Sequence, residues 1–170
     1  MKSKIYTSLI ILLTIVAGTF IGDFRATRRI PMIGTAFYVE GSDSVEVDPM
    51  VMLINKERLK VNSPMLDNSP LLYESAHLKS QHMCSNNYFS HMAPDGTTPW
   101  EFFRVVGYNY RYAGENLSHN ISRDKRIVEE FVLSETHREI MLDRKFREVG
   151  IGRCGEYVTV HFGTLIGVED

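Results

Sequence analysis

Asp48-Pro49, Ser69-Pro70 and Thr98-Pro99 each set a residue suited to cap a helix directly before a proline and ahead of a run of recurring apolar residues. A capping side chain can accept from the free N–H groups of a first turn, and the fixed φ of proline suits the first helical position. Each pair therefore predicts a helix start. After the first, Met50, Leu53, Ile54 and Val61 fall near one helical face, and Asn62-Ser63-Pro64 ends the run. After the second, Leu72, Ala76, Lys79 and Met83 recur at roughly one-turn steps, which predicts a helix to Asn86 or Asn87. The third start, Thr98-Pro99-Trp100-Glu101, has the spacing of a capping box. Its helix is expected to bury Phe102, Phe103, Val105 and Val106 and to stop at Gly107.

Beyond Gly107 the pattern loosens. Tyr108 to Leu117 reads as aromatic and irregular. Ser122 is expected to open a helix carrying Ile127, Val128, Phe131 and Val132, and Ser134 to cap a short successor holding His137, Arg138 and Met141. The period then changes. Val149 and Ile151, then Val158, Val160 and Phe162, alternate with other residues and predict two strands joined at Cys154-Gly155-Glu156. Several helices followed by a hairpin indicate an α+β layered domain.

A chain of 170 residues suffices for one domain with a proper core. Its net charge of -2 and lack of a basic run give no case for nucleic acid. Neither a Walker A loop nor a Gly-x-Gly-x-x-Gly fingerprint is present, so no nucleotide cofactor is expected. The N-terminus is different in character. Met1-Lys2-Ser3-Lys4 is a short basic head, and Ile5 to Gly22 carries no charge. Residues 1–22 therefore read as a signal peptide or an uncleaved membrane-anchor helix, with Val16-Ala17-Gly18 as an acceptable cleavage site. Arg25, Arg28 and Arg29 oppose Lys2 and Lys4, so loop charge sets no orientation. Residues 23–47 read as a linker with a brief strand at 36–39, and residues 48–170 as the folded domain. The domain is expected to be extracytoplasmic, either secreted or held to the membrane through the N-terminal segment. Cys84 and Cys154 are too few for a disulfide-built scaffold. They either pair, closing a loop of about 70 residues for about 4 kcal/mol, or remain two buried thiols.

The residues that carry chemistry are His91, Glu115 and His137. His91 follows Tyr88-Phe89-Ser90 and precedes the turn signal Pro94-Asp95-Gly96. Glu115 lies in Gly114-Glu115-Asn116-Leu117, and His137 in Ser134-Glu135-Thr136-His137-Arg138. All three are expected near turns or helix starts, facing one cleft. Imidazole nitrogen and carboxylate oxygen are the ligands of a catalytic-type zinc or another divalent ion with a position left open for water. Without metal, a carboxylate beside a histidine makes an acid/base pair. No His-Glu-x-x-His places two ligands on one helix face, and each residue alone also reads as a loop or cap residue. His77 and His82 point to different helix faces, His119 falls in a polar loop, and His161 marks one face of the hairpin, open to solvent or to a cleft. Ser134 reads as an N-cap, and no Gly-x-Ser-x-Gly elbow supplies a serine nucleophile.

In order, these pieces resemble the CAP superfamily, the SCP-like domain of cysteine-rich secretory proteins, antigen 5 and plant pathogenesis-related proteins, and above all its bacterial branch. The likeness rests on Ile54-Asn55-Lys56-Glu57-Arg58, Ala76, Tyr88-Phe89-Ser90-His91, Gly107-Tyr108 and Gly114-Glu115-Asn116-Leu117. Ser134-x-x-His137-Arg138, Phe146-x-x-Val149-Gly150-Ile151-Gly152 and Phe162-Gly163 complete it, over about residues 48–165. It implies a three-layer α-β-α sandwich with a cleft lined by His91, His137 and Glu115. Animal and plant members carry a second glutamate after a tryptophan; here Phe131 and Ser134 hold those places, and neither Glu130 nor Glu135 matches the position. Glu135 also replaces the proline usual after that serine in bacterial members. The many disulfides of the animal proteins are missing. Members of the family are associated with metal, sterol or lipid binding, with proteolysis, and with cell-wall or host interactions, and the fold does not choose among them.

The first functional expectation is an exported binding domain whose cleft takes a divalent ion, zinc foremost, through His91 and His137 with Glu115 nearby. The second is a metal-dependent peptidase or amidase on an envelope or extracellular polymer, with Glu115 as the candidate catalytic residue. In a third, the trio only staples loops to helices by hydrogen bonds of about 1 kcal/mol each. The partner is a small ligand, a lipid or an envelope component; a lipid groove between helices is explained equally well as core.

Overall fold

The structure, a computed structural model, describes residues 47–168. The leader or anchor expected over residues 1–22, and the linker and brief strand expected before residue 47, lie outside the described residues. Along the described chain run α1 (Pro49–Lys60), β1 (Asp67–Asn68), α2 (Pro70–Asn86), α3 (Pro99–Val105), β2 (Tyr110–His119), α4 (Asp124–Leu133), α5 (Glu135–Leu142), β3 (Glu148–Cys154) and β4 (Tyr157–Leu165).

All three cap-and-proline pairs start helices, though only the first uses its side chain. Asp48 Oδ1 accepts from the Met50 N–H at 2.9 Å, whereas Ser69 and Thr98 make no side-chain cap. The capping box at Thr98 is thus a correct start without its expected hydroxyl bond. The stop after α3 is as expected: Gly107 takes φ +76, and the N–H groups of Gly107 and Tyr108 reach the carbonyls of Arg104 and Phe103. Val105, expected inside, is 67% exposed, because seven residues bury only one face and Phe102 and Phe103 occupy it. The fourth helix opens at Asp124, with Arg123 rather than Ser122 in the cap position.

The four strands lie in the order β1-β3-β4-β2, with β1 parallel to β3 and the other pairs antiparallel. The β3–β4 hairpin turns at Gly155-Glu156, where Gly155 takes φ +56. Alternation along it sorts the residues by layer. Val149, Ile151, Val158, Val160 and Phe162 join one apolar cluster with Ile54 of α1, Phe131 of α4 and Met141 of α5. The opposite face carries Gly150, Gly152, Thr159 and His161 toward α2. A Cβ on Gly150 would stand 2.1 Å from the Leu72 carbonyl carbon, and one on Gly152 the same distance from that of Ala76. Helix α2 therefore lies backbone against backbone on β3, which side chains at those positions would forbid. Ser80 Oγ donates across this contact, with Gly152 O at 3.0 Å and Thr159 Oγ1 at 2.9 Å. The result is the expected α-β-α sandwich: α1, α4 and α5 on one face of the sheet, α2 and α3 on the other.

One element departs outright from expectation. Tyr108 to Leu117, read as irregular, lies largely in β2, which pairs with β4 from Tyr110↔Leu165 to His119↔Tyr157. Glu115, Asn116 and Ser118 are all buried there, so the strand lacks the apolar alternation by which strands are recognised. Glu115 accordingly sits within a strand, not near a turn. His119, expected in a loop, ends this strand and stacks on Tyr157 at 4.1 Å. The cysteines are joined: Cys84 near the end of α2 is disulfide-bonded to Cys154 at the end of β3, with Cα atoms 6.0 Å apart. No helix among the described residues is long and apolar enough to cross a membrane.

Candidate functional site

The register of β2 on β4 sets Glu115 opposite His161. The carboxylate accepts one imidazole on each oxygen. His161 Nε2 lies 2.9 Å from Oε2, and His91 Nδ1 lies 2.6 Å from Oε1. Behind His161, Nδ1 is 2.9 Å from Ser75 Oγ on α2, and its ring stacks on Phe103 with centroids 4.3 Å apart. A buried row therefore runs Ser75, His161, Glu115, and ends at His91, whose side chain is 59% exposed.

His91 is presented by the segment after α2. That helix ends on Asn87 in the left-handed region at φ +50, turning the chain back along its own flank. Lys79, a fully buried residue of α2, fixes the returning segment: its Nζ donates to Tyr88 Oη at 3.2 Å, Ser90 O at 2.8 Å and His91 O at 2.6 Å. Tyr88 Oη also lies 2.8 Å from His82 Nδ1.

The electrostatics follow from this packing. Burial pushes the Glu115 carboxyl up, but hydrogen bonds from His161 and His91 and the nearby Lys79 charge outweigh it, holding the group below its ordinary range. Burial lowers His161 despite the opposing pull of Glu115, and it lowers Lys79 against the same carboxylate.

His137 occupies the third position of α5, stacks on Phe131 at 5.1 Å, and has Nδ1 2.9 Å from Ser134 Oγ. The Ser134 hydroxyl thus serves the imidazole and makes no cap for the helix. Asn116, the strand neighbour of Glu115, donates to the His137 carbonyl at 2.9 Å and ties α5 to β2. Burial lowers His137, and charge on His91 lowers it further.

Because β2 is an edge strand, the helical layers part along it. The cleft there has a volume of about 540 Å³ and is walled by His91, Trp100 and Glu115 on one side and Glu139, Asp143 and Phe146 on the other. His137 stands outside this wall. The structure thus joins His91 directly to Glu115 and ties His137 to the same strand only through Asn116. The acids facing the cleft from the α5 side are Glu139 and Asp143. Glu130 is instead held by Arg126 at 2.6 Å, and Glu135 is not on the wall. No group of three or more His, Cys, Asp and Glu set to hold a metal ion occurs among the described residues. Both oxygens of Glu115 accept from imidazoles, so the carboxylate serves to orient the two rings.

His161 is the member that sequence reasoning missed. Its alternation with Val160 and Phe162 places it on the second face of the hairpin, and the glycines at 150 and 152 on that face are the signal that a helix covers it.

The model of the CAP family, described as the cysteine-rich secretory protein family, matches residues 51–162. Protein YkwD of Bacillus subtilis is 34% identical over 103 residues, which are 61% of this chain and 40% of that protein. Membrane protein YlbC of the same organism is 29% identical over 110 residues, 65% of this chain and 32% of its own length. The chain therefore spans well under half of these curated relatives. Among solved structures, an extracellular protein containing an SCP domain from Bacillus anthracis superposes with a TM-score of 0.65 at 28% identity, over 67% of this chain and 38% of that one. An outer surface protein of Borrelia burgdorferi gives a TM-score of 0.63 at 21% identity, over 68% of this chain and 90% of that one, a likeness of fold.

Proposed function

The chain belongs to the CAP, or cysteine-rich secretory protein, family, and on that premise we propose that it is an extracytoplasmic binding domain whose cleft takes a small ligand or a divalent cation at the imidazole of His91, with His137, just outside the wall, as the second imidazole. The observation that carries this reading is the buried carboxylate of Glu115, held ionised and 2.6 Å from His91 Nδ1 at the mouth of an open cleft. A metal-ligating histidine commonly gives its second ring nitrogen to a carboxylate or another oxygen, which fixes the ring for the ion. His91 has that support from Glu115 and His137 has it from Ser134, while burial keeps His137 in the neutral form that ligation requires. Bound there, a zinc ion would supply a Lewis acid with a coordinated water. Export is supported by the charge-free segment from Ile5 to Gly22 and by the extracellular and surface relatives. The segment would hold the domain at the membrane where it stays uncleaved. Titration calorimetry with zinc tests the cation: micromolar or tighter binding that disappears in the His91→Ala, His137→Ala double variant is the expected result. Equal binding by both proteins removes the site.

A second reading is favoured by the same short bond. A carboxylate on Nδ1 orients the exposed His91 ring at the cleft as a general base would need, so a peptidase or amidase acting on envelope polymer is the enzymatic alternative. Turnover of purified envelope or of a peptide library that is lost in Glu115→Gln would establish it, and silence on both would retire it.

A further inference from the structure

We propose that the cleft admits an extended peptide, which joins the four-stranded sheet as a further strand on the free edge of β2 at Ala113 and Glu115. This names a ligand class for the binding reading and rests on it, but it requires neither a cation nor catalysis.

The direction of each backbone group follows from bonds already made. In an antiparallel ladder, residues alternate between those that bond the neighbouring strand and those that turn away from it. The Gly163 carbonyl accepts from the Arg147 N–H at 3.0 Å, on the β3 side, so Gly163 faces away from Ala113, its partner in β2. At the other end of β2 the Asn120 N–H reaches the Glu156 carbonyl at 3.2 Å, on the β4 side. The register runs without a slip from His119↔Tyr157 to Tyr112↔Thr164, and its irregularity lies beyond, between Tyr110 and Tyr112. Counted from either end, Gly114 and Asn116 bond β4, whereas Ala113 and Glu115 turn N–H and C=O outward. Among the described residues, no main-chain or side-chain group bonds those outward groups. Both residues line the cleft, and Glu115 is only 3% exposed. Unpaired backbone groups at a buried position are costly and call for a partner.

The partner is set by the repeat. A donor and an acceptor recurring at every second residue match another extended main chain, and a free strand edge is a template for such pairing. A sugar ring carries no N–H and C=O at that repeat. A strand laid there would send alternate side chains to the two helical layers. Toward α2 and α3 they meet the exposed side chains of Met92 and Trp100. Toward α5 they meet Glu139 and Ile140. Asp143 is already paired with Lys145 at 2.8 Å, whereas Glu139 makes no ion pair among the described residues. The occupant is therefore a peptide in which apolar and basic residues alternate.

The test titrates the metal-free full chain, nitrogen-labelled, with two capped hexapeptides, one alternating leucine with lysine and the other leucine with glutamate. Backbone amide shifts and hydrogen exchange are read together. In the free protein the amides of Ala113 and Glu115 should exchange faster than those of Gly114 and Asn116. The leucine–lysine peptide should slow the first pair about tenfold and leave the second unchanged, and the glutamate peptide should bind more weakly. N-methylation of alternate residues blocks one edge of the peptide at a time. Binding should fall about tenfold for one of the two methylated forms and persist for the other. Ala113→Pro removes an outward N–H and no ladder bond, so it should weaken the peptide about tenfold while the protein stays folded. The proposal is overturned by equal binding of both methylated forms, or by no amide response to either peptide at millimolar concentration. Protection of Ala113 and Glu115 that grows with protein concentration alone would put a second copy of the chain on the edge, and overturns it too. Zinc calorimetry is independent: its failure sinks the cation and leaves the strand result standing.

Discussion

Lys79 Nζ lies 2.6 Å from the carbonyl oxygen of His91, so the exposed imidazole at the cleft is anchored through its own backbone to a cation buried under it. The same ammonium also holds Ser90 O, and three of its contacts fall on the four residues from Tyr88 to His91. Lys79→Met keeps the length of the stem and removes every donor. The Ser90 and His91 carbonyls lose a charged donor in part-buried bonds, and stability should fall by about 2 kcal/mol. Chemical denaturation measures the loss, and broadening of the His91 resonances should accompany it; a variant as stable as wild type with a sharp His91 signal would show that the segment holds itself.

Asn116 and Ser118 point to the same face of β2, and each has a buried oxygen, Oδ1 and Oγ respectively, with no partner among the described residues. Their substitutions should nevertheless diverge. Ser118→Ala removes an unsatisfied hydroxyl and should leave the melting temperature unchanged or raise it, with a gain of up to about 1 kcal/mol. Asn116→Ala also removes the bond to the His137 carbonyl and should cost about 2 kcal/mol. Thermal melts of the two variants side by side decide this.

The disulfide between Cys84 and Cys154 spans a sequence separation of 70. Chain entropy gives such a closure about 4 kcal/mol. A Cys84→Ser, Cys154→Ser double variant should lose about that amount in urea titration, and a reducing agent should bring the wild type down to the same midpoint.

Acid should weaken the fold through three groups that act in one direction. Glu115 is held below its ordinary value of 4.5, so its contribution is complete above that pH and is lost as pH falls toward the lower folded value. His137 and His161 are held below 6.5 by burial, so in the window beneath 6.5 the unfolded chain binds protons that the folded chain refuses. The urea midpoint should therefore climb from about pH 4 to pH 7, and His161→Phe should flatten the upper part of that climb. A midpoint independent of pH across this range would contradict the assigned charges.

The helices were legible because their starts are local chemistry: Asp48-Pro49 and Ser69-Pro70 need no knowledge of the rest of the chain. The β3–β4 hairpin was legible because one of its faces is apolar. Strand β2 was not, since the residues it buries are Glu115, Asn116 and Ser118, and a buried polar strand has the composition of a loop. The site divides the same way. His91 and Glu115 stand in recognisable local contexts and prove to be bonded to each other. His161 becomes part of the site only when α2 is laid over the hairpin, a relation between segments some 86 residues apart. Ser134 stands in the expected N-cap position, but its hydroxyl was not legible: a hydroxyl at a helix start can serve a backbone N–H or a nearby imidazole, and spacing does not say which.

The two glycines beneath α2 have a consequence for how this protein could be altered. Where main chain rests on main chain, the separation is set by van der Waals radii and no rotamer change can adjust it. The back of the site thus inherits a fixed depth, whereas Trp100 and Glu139 line the mouth through side chains, and Trp100 meets Phe103 and Tyr110 ring to ring. A change of ligand preference can be engineered at that mouth; at the back, one added methyl group would lift a whole helix and every proton donor it carries.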